Sequence, residues 1–116
     1  MPDKPLVWLG GEIKSPPLSQ DARRQAGWLL RRLQKGETLS MPRSRPMPSI
    51  GPRCHELRIE DAATGKAWRI LYRVDEDAIV ITDSFAKKSQ ATPKSAIARA
   101  GRRLKLYEQC ANEDKR

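Results

Sequence analysis

Apolar positions along the chain recur with two different periods. Ala22, Ala26, Leu29, Leu30 and Leu33 return every three or four residues, which places them on one helical face. Arg23, Arg24, Arg31 and Arg32 fall largely elsewhere. Ser19 stands before this run as a good N-cap, and Gly36 ends it. A second helix is expected after Thr92 as cap and Pro93 as first helical residue. Its apolar stripe is Ile97, Ala100, Gly101, Leu104 and Tyr107, and a frayed tail is expected over 110–116.

Between the helices the period drops to two. In 54–60, His55, Leu57 and Ile59 alternate with Cys54, Glu56, Arg58 and Glu60. In 67–74, Trp68, Ile70, Tyr72 and Val74 alternate with Arg69, Leu71 and Arg73. Residues 78–85 are nearly all apolar or small, as a central strand requires. Turns at Thr64-Gly65 and Asp75-Glu76-Asp77 join the three into an antiparallel meander. Residues 4–10 form a short strand ended by Gly10-Gly11. Residues 40–53 hold four prolines and read as a long, stiffened loop. The expected order is strand, helix, long loop, three-strand meander, C-terminal helix. This is a single α+β domain over 1–116, an antiparallel sheet with both helices packed on one face.

Composition narrows the chemistry. At 116 residues, 38% hydrophobic and 32% charged, the chain suits one soluble domain. No apolar run approaches the roughly 18 residues of a membrane span, and no signal-peptide pattern opens the chain, so a cytoplasmic protein without a membrane partner is expected. Cys54, Cys110 and the single His55 do not supply the ligand set of a zinc site. Two free thiols, no metal and no cofactor are expected.

The net charge of +9 points to an anionic partner. The charge is regional: Lys87, Lys88, Lys94, Arg99, Arg102, Arg103 and Lys105 lie between Ser84 and Tyr107, a stretch without an acid. On the sheet, Glu56, Arg58, Arg69 and Arg73 can share one surface, with Lys87 and Lys88 at its rim, leaving the strand on opposite sides. Arg53 and Lys94 add positive charge for RNA phosphates. Cleavage of RNA by its own 2′-oxygen needs a base, cationic donors for the phosphorane and an acid for the leaving 5′-oxygen. One histidine excludes a two-histidine nuclease. Arg58, Arg69 and Lys88 can supply the donors. Glu56, or a lysine with a depressed pKa, can supply the base. His55 and Tyr72 face the core, Cys54 is inert, and Phe85 packs where the strand exits. Trp8, Trp28 and Trp68 are expected to pack in the core or its rim rather than to stack on bases.

The segments KPLVWLG, RPMPSIGPRCHELRI (45–59), WRILYRV (68–74), SFAKKSQATPK (84–94) and RRLKLYE (102–108) together resemble the phage-derived branch of the RelE/HigB/ParE toxin superfamily. The resemblance spans nearly the whole chain and implies a RelE-like fold. It implies the toxin of a type II toxin–antitoxin pair, a ribosome-dependent endoribonuclease that cuts mRNA. The implied partners are the ribosome, mRNA and a helix-turn-helix antitoxin, with operator DNA met only through the antitoxin complex. Glu56 and Arg58 stand where such toxins often place lysines. Arg69 stands at the arginine of the next strand, and Lys88 at the basic residue after the last. The chain departs from the pattern at Glu56, an acid in place of lysine, at His55, where relatives often carry an aromatic, and at Ala96, in place of an acid. A gyrase-poisoning toxin on the same fold and a non-catalytic nucleic-acid-binding phage relic are the alternative functions.

Overall fold

The computed structural model describes residues 3–10, 13, 17–87 and 92–114. Its elements are β1 (Leu6–Trp8), α1 (Gln20–Gln34), β2 (Ser44–Pro46), β3 (Cys54–Asp61), β4 (Lys66–Val74), β5 (Ile79–Lys87) and α2 (Lys94–Asp114). No described helix is long and apolar enough to cross a membrane.

Helix α1 forms as its periodicity demands. The Ser19 hydroxyl accepts the Ala22 amide at 3.1 Å. Asp21 in the first turn and Arg31 and Arg32 in the last complement the helix dipole. Gly36 then takes a φ of 91°, a conformation glycine adopts without steric cost. The buried residues of α1 are the five of the apolar stripe. They pack on Leu57, Ile59, Trp68, Ile70, Tyr72, Ile79 and Ile81. Leu29 and Leu30 are buried, each contributing about 1.5–3 kcal/mol.

The meander of β3, β4 and β5 is antiparallel, as its alternation predicts. Two edges alter the expected sheet. β1 pairs with β5 in parallel, so the five-stranded sheet is mixed, in the order β1-β5-β4-β3-β2. The proline-rich loop contributes β2, which pairs antiparallel with β3 and sets Arg45 opposite Glu56. Three residues are too few to display a period. Pro46, without an N–H, is tolerated at a strand edge.

The helices do not share a face, contrary to expectation. α1 covers one side of the sheet, while Leu104 of α2 joins Met47, Cys54, Ala78 and Val80 on the other. Ala96 and Ala100 of α2 pack with Leu71 on that second side. The cause is in β4 and β5, where neighbours such as Ile70–Leu71 and Ile79–Val80 are buried in pairs. A strand that is apolar on both faces needs cover on both.

α2 also starts and ends differently from expectation. Its first residue is Lys94, and Thr92 turns its hydroxyl to the sheet instead of capping the helix. The helix continues to Asp114, through most of the segment expected to fray. Asp83 of β5 holds it by accepting from Arg99 Nε and Nη2 at 2.9 and 2.6 Å.

One irregularity decides what the second face carries. Tyr72 pairs with Ile81 but Leu71 pairs with Asp83, so Thr82 is an extra residue, a β-bulge. Its hydroxyl donates to the Leu71 carbonyl at 3.3 Å. Before the bulge, Ile79 and Ile81 face α1. After it, Asp83, Phe85 and Lys87 lie across from Leu71, Arg69 and Ala67, on the side of α2.

Candidate functional site

On the α2 side of the sheet, strand register places residues in rows. Glu60, Ala67 and Lys87 form one row, Arg58, Arg69 and Phe85 the next, and Glu56, Leu71 and Asp83 the third. The small Ala67 side chain separates Glu60 from Lys87. Neighbouring strands lie about 4.8 Å apart, so these two backbones stand about 10 Å apart over a low floor.

Glu56 lies beneath this area and is fully buried. It accepts the Thr92 hydroxyl. Thr92 in turn accepts from Arg45 Nη2 at 3.3 Å. The second Glu56 oxygen lies 3.4 Å from Arg45 Nη2 and 3.6 Å from Arg69 Nε. These are charge contacts beyond ordinary hydrogen-bond length. Arg45 Nε, Glu56 Oε1 and Arg69 Nε are buried without a hydrogen-bond partner. Such an imperfect buried cluster is costly and is characteristic of places where function competes with stability.

Arg69 is 3% exposed. It donates to the Trp68 carbonyl at 3.0 Å and lies 4.0 Å from Glu60 Oε1. Burial and then repulsion from Arg58 lower its pKa, with Glu56 acting in the opposite direction. Arginine stays charged regardless. Lys87 is half-buried, and its pKa is also lowered, first by burial and then by Arg69, with Arg58 and Arg45 adding to the effect. Arg58 is half-buried and reaches toward Met41, its Nη1 3.6 Å from the sulfur.

The site residues expected from sequence separate into groups. Glu56, Arg58, Arg69 and Lys87 come together. Arg73 and Arg53 do not join them. Arg73 is buried at the other end of the face, bonded to Asp75 at 2.7 and 2.9 Å and to Glu108. Arg53, at a positive φ of 64°, lies 3.8 Å from Asp75. Lys94 is exposed at the start of α2, two residues beyond Thr92. Lys88 lies outside the described residues. Arg99 and Arg103, part of the basic run, are engaged with Asp83.

Three contributors escaped sequence reasoning. Arg45 sits in what read as a loop, and Thr92 read as a helix cap. Glu60 has no role in the sequence reading, although its alternation with Glu56 and Arg58 already places it on their face. Of the aromatics, Trp68 packs in the core, but Trp28 is 54% exposed, contrary to the packing role expected for it. His55 is half-buried and stacks on Tyr72 at 5.3 Å between centroids. Burial lowers its pKa, so it is neutral at physiological pH. Tyr72 shares a 2.6 Å hydrogen bond with Ser44, and burial raises its pKa. The Cys54 thiol is buried and its pKa raised by burial, which keeps it protonated and unreactive.

A family described as Phage derived protein Gp49-like (DUF891) matches residues 16–105, which span every element except β1 and the end of α2. The chain belongs to this Gp49-like family. No curated protein matches it. The matched stretch includes Arg45, Glu56, Arg58, Glu60, Arg69, Lys87 and Thr92, so the whole cluster is part of the Gp49-like domain.

Proposed function

We propose that this Gp49-like protein is a toxin of the RelE/HigB type, a metal-independent endoribonuclease acting on mRNA at the ribosome. The observation that carries this reading is the cationic floor of Arg58, Arg69 and Lys87 with an accessible carboxylate, Glu60, at its border. In the RNA reaction, the 2′-oxygen attacks the adjacent phosphorus and gives its proton to a base. The P–O5′ bond breaks, and the leaving 5′-oxygen takes a proton from an acid.

Glu60 is better placed as the base than Glu56. Its side chain is 76% exposed, whereas Glu56 is buried and already accepts from Thr92. Lys87, with its pKa lowered by burial and by Arg69, is a stronger acid than a free lysine and suits protonation of the leaving oxygen. Arg58 is the accessible guanidinium for the phosphorane oxygens. Arg69 is a positioning residue: it holds Glu56 and adds positive charge from beneath. The Glu56–Thr92–Arg45 cluster keeps α2 on the sheet beside the site. Glu56 and Arg58, which stand where the toxins it resembles often place lysines, thus divide into a buried anchor and a phosphate donor.

The reading extends to an antitoxin with a helix-turn-helix that neutralises the protein. It is tested by primer extension on a defined message with the purified protein, with and without ribosomes. Cuts confined to translated message are the expected result. Absence of cuts by folded protein in both cases would overturn the ribonuclease, and stalled gyrase–DNA complexes would assign the fold to gyrase poisoning.

A further inference from the structure

We infer that Trp28, flanked by Arg32 and Arg43, is a stacking platform for a base of single-stranded nucleic acid, at the far end of a cationic track that begins at Lys87. The inference deepens the ribonuclease reading by giving the RNA strand a second point of attachment.

Trp28 lies on α1 away from the five buried residues, and more than half of its surface is open. A single exposed tryptophan is no signal by itself. Its surroundings are. The Arg32 guanidinium lies 4.9 Å from the ring centroid and that of Arg43 5.8 Å. One arginine comes from the same helix, one turn on, and the other from the loop before β2. Two elements therefore converge on one indole and hold it in place by cation–π attraction. Arg24, one turn earlier on α1, is exposed and extends the positive stripe.

The platform lies on the α1 side and meets the site around the β2–β3 edge of the sheet. The Arg43 carbonyl accepts the Arg58 amide at 2.8 Å. Arg43 and Arg58 together line a surface cavity of about 390 Å³ with Gln25, Pro42 and Glu60. Arg58 pairs with Arg69 across the strands, and its charge reaches both Arg69 and Lys87. Met41, the other large apolar residue exposed here, sits over this track beside Arg58. Acids also border it: Glu37 lies 3.3 Å from Arg32, and Glu60 faces the cavity.

An aromatic face at the end of a positively charged groove is the arrangement that binds single strands without sequence readout. The backbone phosphates follow the arginines, and an unstacked base covers the indole. A folded acidic protein would profit from the charge but has no need of the half-exposed indole between the two arginines.

The test is binding of a short, fluorescently labelled 2′-O-methyl RNA, which cannot be cleaved, to the wild type and to the Trp28→Ala, Trp28→Phe and Arg43→Ala variants. Thermal melts establish that each variant is folded, as expected for exposed positions. Trp28→Ala should bind about tenfold more weakly, with Trp28→Phe recovering most of the affinity. Wild-type tryptophan emission should be quenched on binding, and this quench should vanish in Trp28→Phe. Equal affinity in wild type and Trp28→Ala, or no binding by the wild type, would overturn the platform. Unchanged RNA affinity with Trp28-dependent binding of polyglutamate would overturn it too and give the face to an acidic protein. Trp28-dependent binding without message cleavage would uphold the platform and remove the ribonuclease. Message cleavage unaffected by Trp28→Ala, with unchanged affinity, would do the reverse.

Discussion

Thr92 donates its hydroxyl to the buried Glu56 carboxylate, joining residues 36 apart in sequence. Through this bond the start of α2 is tied to the middle of β3. Thr92→Val keeps the shape but leaves a buried carboxylate oxygen without its donor. It should lower unfolding free energy by about 1–3 kcal/mol. Glu56→Ala should cost more, about 3–5 kcal/mol, because Arg69 is left buried without its counter-charge. Urea unfolding measures both, and a Glu56→Ala protein as stable as wild type would show that the cluster is not an anchor.

Lys87 and Glu60 face each other across Ala67. Lys87→Ala and Glu60→Gln should each reduce message cleavage by about 100-fold, the usual scale for a lost proton-transfer group. Neither residue is part of the buried core, so melting temperature should hold. Full cleavage by the double variant would remove both from the reaction.

Arg58 lowers the Lys87 pKa by repulsion, behind burial and Arg69. Removing its charge therefore lets Lys87 hold its proton to higher pH. In an NMR titration of the lysine side chains, Arg58→Ala should move the Lys87 midpoint upward. A downward shift, or none, would separate the two charges.

Asp61 gives a prediction about acid stability. Burial raises its pKa, but hydrogen bonds from Ser19, Thr64 and Trp68 outweigh it and hold the carboxyl at about 2. An unfolded aspartate titrates near about 3.9, so the folded form prefers the ionised state. The stabilisation is fully present above about pH 4 and is lost as pH falls toward 2. Asp61→Asn should be less stable than wild type at neutral pH, with the gap narrowing as the medium is acidified. Denaturation curves at several pH values would show this, and a gap independent of pH would contradict it.

Much of the fold was legible because its elements are locally consistent. The α1 cap, stripe and glycine stop are each visible in the chain, and all three hold in the structure. The meander strands were legible for the same reason: period two is imposed by the pleat and needs no partner to be read. β2 was not legible, since three residues between prolines adopt a strand only because β3 offers its edge. Arg45 was missed with it. A tryptophan is expected to pack, and only the exposure of Trp28 and the arginines around it say otherwise.

Sequence alone determined the α+β composition, the three central strands and the concentration of positive charge near the last one. These follow from side-chain period and charge, which are local. Tertiary structure decided where that charge is used. The bulge at Thr82 reverses which residues of β5 face α2, and so sets Lys87 on the side of Arg58 and Arg69. A one-residue change in register moves every later side chain to the opposite face, and nothing local in the chain announces it. The same holds for the arginines: Arg73 is bound to Glu108 of α2, and Arg99 and Arg103 to Asp83 of β5, while Arg58 remains accessible. Pairing partners distant in sequence, not the charges themselves, separate the structural cations from those left for a ligand.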